Sequence, residues 1–96
     1  MKPVIFDPEA QDEVDHALAA SLVPDEFRDA IEAIVAVLVA NPGYGFATTT
    51  PGVRRAVQTR FPYSVIYADE RTRLFVLAFP HHSRRPGYWN KRLRPN

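Results

Sequence analysis

The run Leu74-Phe75-Val76-Leu77-Ala78-Phe79 is apolar at six consecutive positions. In an extended strand, neighbouring side chains point to opposite faces, so this run has no solvent side and needs cover on both. It therefore sets a layered body, with this strand central in a sheet and apolar cover above and below.

At 96 residues the chain is expected to form one domain, residues 1–96, with a single small core. There is no cysteine, which rules out disulfides and thiolate metal sites. Met1 to Pro8 meets a proline and an acid before any apolar region forms, and no apolar run approaches the roughly 20 residues of a membrane span. A soluble, unprocessed, cytoplasmic protein without membrane association is expected.

The cover is legible upstream. Lys2 to Phe6 is a short β-prone run. Asp7-Pro8-Glu9 then opens a helix: the Asp side chain accepts end N–H groups, Pro8 lacks only an N–H that would be unpaired, and Glu9 suits the positive dipole end. Ala10, Val14, Ala17, Leu18 and Ser21 form its narrow stripe, with Asp12, Glu13 and Asp15 on the outer face and His16 idle in solvent. A second helix starts at Val23-Pro24-Asp25-Glu26, carries Phe27, Ile31, Ile34, Val35 and Leu38 on its core face, and ends at Asn41-Pro42-Gly43. The short connection makes the two an antiparallel hairpin. Residues 43–52 read as a surface loop, stapled by Tyr44 and Phe46. Three strands follow: Val53 to Thr59, Tyr63 to Asp69, and Arg73 to Phe79. The connection Asp69-Glu70-Arg71-Thr72 has no glycine, which favours a type I-based loop over a primed turn. The expected fold is α+β, with β-α-α-β-β-β order. An antiparallel meander is flanked by the N-terminal strand, and the hairpin packs on one face, leaving the other face for function.

Charge is divided along the chain. Residues 1–51 hold two bases against nine acids, a net −7, and residues 52–96 hold ten bases against two acids, a net +8. This asymmetry suits an anionic partner for the second half, a nucleic acid or an acidic protein segment. Alternatively, the halves neutralise each other within the fold.

The stretch His81-His82-Ser83-Arg84-Arg85-Pro86-Gly87-Tyr88-Trp89-Asn90-Lys91-Arg92 concentrates the reactive groups. Cleaving RNA through its 2′-OH needs a base, an acid and donors for the phosphate. His81, His82 and Tyr88 are of the type that transfers protons, and Arg84, Arg85 and Arg55 of the type that grips phosphate. Tyr88 or Trp89 can stack on a base. At strand spacing His81 and His82 point opposite ways, so only one serves a given site. Another use of the same residues stays open: Tyr88 and Trp89 as cover for the sheet, and Arg85 or Arg92 as partners of helix acids. Two adjacent histidines without carboxylate spacing do not make a metal site, so no metal and no cofactor is expected.

Arg60-Phe61-Pro62-Tyr63-Ser64-Val65-Ile66-Tyr67, Val76-Leu77-Ala78-Phe79, and His81 with Arg84-Arg85-Pro86-Gly87-Tyr88-Trp89-x-x-Arg92 together resemble the RelE/ParE superfamily of type II toxin-antitoxin toxins. Asp7-Pro8-Glu9-Ala10, Pro42-Gly43 and Val53-Arg54-Arg55 extend the resemblance over nearly the whole chain. It implies a growth-arresting toxin with a cognate antitoxin whose C-terminal segment wraps and neutralises it. In RelE-like members the activity is metal-independent, ribosome-associated cleavage of mRNA. For that activity the resemblance implies His81, His82, Arg84 and Tyr88 as catalytic residues, and Arg54, Arg55, Arg60, Arg85, Trp89 and Arg92 as RNA and phosphate contacts. ParE-like members instead inhibit DNA gyrase without being enzymes, and an inactive member would only bind its antitoxin. Where an arginine commonly follows the tyrosine in the nuclease group, this chain has Ser64.

Overall fold

The computed structural model describes residues 2–93. Strand β1 (Val4–Phe6) leads through the Asp7 cap into helix α1 (Pro8–Ala20), followed by α2 (Pro24–Ala40). Asp7 accepts the Glu9 N–H as expected, at 2.9 Å, and a proline opens each helix. Strands β2 (Phe46–Ala47), β3 (Val53–Val57), β4 (Ser64–Asp69) and β5 (Leu74–Ala78) follow, then a 3-10 turn over Asn90–Arg92. No described helix is long and apolar enough to cross a membrane.

The sheet order is β1-β5-β4-β3-β2, with β1 parallel to β5 and every other pair antiparallel. The all-apolar run is thus an interior strand. Leu74, Val76 and Phe79 join Ala10, Val14, Ala17, Phe27, Ile31 and Leu38 in a core under the helices. Leu77 and Ala78 face the other way with Val53, Ile66 and Trp89. Two neighbours share that face because of an irregularity in the ladder: Tyr67 pairs with Val76 and Ile66 with Ala78, which leaves Leu77 as an extra residue. Glu70 N–H donates to the Arg73 carbonyl at 2.9 Å to close the β4–β5 loop. No described non-glycine residue has positive φ, so this loop is not a type I′ turn.

Three expectations are corrected. The loop over residues 43–52 contains β2, a short edge strand paired to Arg54 and Arg55. Tyr44 and Phe46 do not staple it, since both rings are more than half exposed. The anchor is Tyr67, whose buried hydroxyl accepts the Gly45 N–H at 2.9 Å and donates to the Pro42 carbonyl at 2.7 Å. The sheet face away from the helices is also not wholly open, because Trp89 lies across its middle.

Gly45 is a close approach that a side chain would break: a Cβ there would fall 2.8 Å from both the Arg55 carbonyl oxygen and the Tyr67 hydroxyl. Gly45→Ala is expected to cost about 1–3 kcal/mol, the usual range for overpacking. Chemical denaturation checks this, and an unchanged midpoint would refute the contact.

Candidate functional site

The chain leaves β5 through Phe79 and Pro80 and makes a single bridge from His81 back to Tyr63. The buried Trp89 and the 3-10 turn then return it across the sheet, with Thr50 donating to Asn90 Oδ1 at 2.8 Å. Gly87 supplies the positive φ (82°) that turns the backbone between these points.

The organising group is Glu13. It accepts the Phe79 N–H at 2.9 Å, the Tyr88 hydroxyl at 2.7 Å, and two guanidinium N–H groups of Arg92 at 3.1 Å each. Arg92 also donates to the Leu77 carbonyl at 2.9 Å and lies 2.7 Å from Glu9. Glu13 was expected on the outer face of α1, yet it turns inward at the border of the Ala10, Val14, Ala17 stripe. Burial by itself would push its carboxyl up, but the bonds from Arg92, Phe79 and Tyr88 outweigh this and hold it below its ordinary value. Burial and the Glu13 carboxylate together push the Tyr88 phenol well above its ordinary value.

Two depressions flank this node. A groove of about 380 Å³ between α1 and residues 79–84 has Ala17, Tyr63, Phe79 and Pro80 as its apolar lining, with Asp12, His16, His81 and Arg84 at its border. A cleft of about 520 Å³ is lined by Arg84, Arg85, Pro86, Gly87, Tyr88, Lys91 and Arg92. Arg84 stands between the two, with its guanidinium carbon 4.0 Å from the centre of the Tyr88 ring.

The residues singled out from sequence do not converge. His81 borders the groove, and its Nδ1 accepts the Ser83 N–H at 3.0 Å and lies 2.8 Å from the Ser83 hydroxyl. These contacts put the proton of the neutral ring on Nε2. His82 Nε2 donates to the Tyr63 carbonyl at 2.9 Å, and the residue lines neither depression. Arg84, Arg85, Tyr88 and Arg92 do meet in the cleft. Trp89 does not: its side chain is 4% exposed, packed on the sheet face where a base cannot reach it. Arg92, with its side chain 9% exposed, is held by the helix acids. Arg54 donates to the Gly45 carbonyl at 2.6 Å, Arg60 pairs with Glu26, and Arg55 lies half-buried opposite Phe46. His16 is exposed as expected, although it reaches the groove. No described group of three or more acids and histidines is arranged to hold a metal ion.

No family model matches the sequence, and no curated protein matches it either. Among solved structures, a chain from "Chromosomal ParDE TA system from P. aeruginosa" superposes with a TM-score of 0.65 at 22% identity, over 84% of this chain and 96% of that one. The two chains share one fold. It is the fold implied by the sequence resemblance, with a two-helix layer on a five-stranded mixed sheet.

Glu13 and Lys91 were not singled out from sequence. Lys91 sits inside the basic stretch and was readable there. The only trace of Glu13 was its position three residues after Ala10 and four before Ala17, which sets it beside the buried stripe.

Proposed function

We propose that this protein is the toxin of a type II toxin-antitoxin pair, neutralised by a cognate antitoxin, and that it arrests growth as a ParE-like inhibitor of DNA gyrase. The likeness in fold to a chain of a ParDE system supports the first part. The observation that carries the choice of target is the condition of the proton-transfer groups. Tyr88 donates its hydroxyl to Glu13 and resists ionisation. Ser83 occupies the lone pair of His81 Nδ1, and His82 lies outside the cationic cleft. RNA cleavage needs a base and an acid within hydrogen-bond reach of one phosphate, and neither depression is lined by two of His81, His82 and Tyr88. Ser64 argues the same way: it is fully buried, so this position offers no cation to an RNA. For a binding toxin the helical hairpin is the natural contact surface, with Leu22 at its tip 98% exposed.

Brief induced expression in a bacterium, with messenger RNA 5′ ends and the DNA damage response read in one culture, tests this reading. DNA damage with intact messages is the expected result. Codon-phased cleavage without DNA damage would overturn it in favour of ribosome-dependent mRNA cleavage, and neither signal would leave antitoxin binding alone.

A further inference from the structure

We propose that the cleft bordered by Arg84, Arg85 and Lys91 is a contact site for the phosphodiester backbone of duplex DNA. This goes beyond the choice of protein target above and rests on the cleft itself.

The first reason is unbalanced charge. Lys2, Arg28, Arg60, Arg73 and Arg92 each have a carboxylate within ion-pair distance. Among the described residues Arg84, Arg85 and Lys91 have none, although all three are exposed and line one cleft. Arg54, Arg55 and Arg71 also lack such a partner among the described residues, but they lie outside this cleft, where three unpaired cations are gathered together.

The second reason is preorganisation. The Asn90 N–H donates to the Gly87 carbonyl at 3.0 Å and the Arg92 N–H to the Trp89 carbonyl at 2.8 Å, so the backbone carrying Lys91 is fixed. Tyr88 is fixed by Glu13, and Arg84 lies on its ring. A guanidinium stacked by its face keeps its edge N–H donors for a planar or tetrahedral anion. Arg84 would therefore gain little side-chain order on binding.

The third reason separates the anions. An acidic peptide anchors through apolar side chains as well as charge, but the cleft offers only Pro86 and the Tyr88 ring among its cations and Gly87. Single-stranded nucleic acid is gripped by stacking bases on aromatic rings. Here Tyr88 already carries the guanidiniums of Arg84 and Arg92, at 4.0 and 5.1 Å from its centre, and Trp89 is buried. A stacked duplex, which presents its phosphates and needs no stacking platform, fits such a site.

Fluorescence anisotropy on the full-length protein tests this, with labelled duplex DNA, single-stranded RNA and a polyglutamate peptide titrated at stepped salt. Arg84→Ala/Arg85→Ala/Lys91→Ala is expected to bind the duplex at least about tenfold more weakly, with a salt slope smaller by roughly 2–3. The double variant Arg85→Ala/Lys91→Ala leaves the Arg84–Tyr88 stack intact and should show about two-thirds of that effect on the same logarithmic scale. Arg28→Ala/Arg71→Ala removes two charges elsewhere and should change binding less than about twofold. The assignment is overturned by unchanged binding in the double variant, by an equal loss in the Arg28/Arg71 control, or by tighter binding of the RNA or the peptide than of the duplex.

Discussion

Replacing Glu13 by alanine is expected to destabilise the protein by about 3 kcal/mol, the low end for breaking a buried ion pair. One change leaves the Tyr88 hydroxyl and the Phe79 N–H without their acceptor and removes the carboxylate that accepts two hydrogen bonds from Arg92. Glu9 remains near Arg92, which keeps the cost from rising further. At about 4–8 °C per kcal/mol for a domain of this size, the melting temperature should fall by roughly 12–24 °C. Glu13→Gln keeps an acceptor and should lose only about 1–2 kcal/mol. The effect has a pH signature. Folding lowers the carboxyl's affinity for a proton, so the contribution of Glu13 is complete above the ordinary glutamate value near 4.3 and is lost as pH falls through the lower folded value. The gap between wild type and Glu13→Gln should therefore narrow in acid. Tyr88 runs the opposite way: its folded pKa is raised, so its contribution is complete below the ordinary tyrosine value near 10 and declines above it. Thermal melts across pH decide the matter, and a gap that is constant in acid would refute the role given to Glu13.

Trp89→Ala is expected to cost about 3–5 kcal/mol, the range for truncating a large buried aromatic. The indole covers Val53, Ile66, Leu77 and Ala78, so its loss exposes the sheet face and frees residues 83–93. Trp89→Phe should be much milder, about 1–2 kcal/mol, because it keeps most of the apolar cover. It also removes a buried Nε1–H that has no acceptor in the structure. Denaturant midpoints of the two variants check this. Equal damage from both would refute the assignment of the cost to lost apolar cover.

Much of the architecture was legible because it rests on local chemistry. Asp7-Pro8 and Val23-Pro24 marked both helix starts, and the six apolar residues from Leu74 placed β5 inside the sheet. Strand β2 was not legible, since its two residues form a strand only through Arg54 and Arg55 across the ladder. The candidate site was half legible. Arg84, Arg85, Tyr88 and Arg92 are neighbours in sequence and remain neighbours in the cleft. Their partner Glu13 lies 75 residues from Tyr88, so no local pattern could join them. Trp89 was read in two ways, as a stacking platform and as sheet cover. The fold uses it as cover, since indole area is worth more against bare strands than in water.

The parallel pairing of β1 with β5 bears on how the chain acquires its structure. Asp7 N–H donates to the Val76 carbonyl at 2.8 Å, and Leu74 N–H to the Pro3 carbonyl at 2.9 Å. During synthesis both helices can coil, and the β3–β4 hairpin can close, while the first strand still waits for a neighbour. Contacts this far apart in sequence form late and slowly. The basic cleft comes later still, since its residues follow β5 and its anchor, Glu13, belongs to the earliest helix. A nascent chain would therefore complete its cationic cleft only after every strand of the sheet has been made.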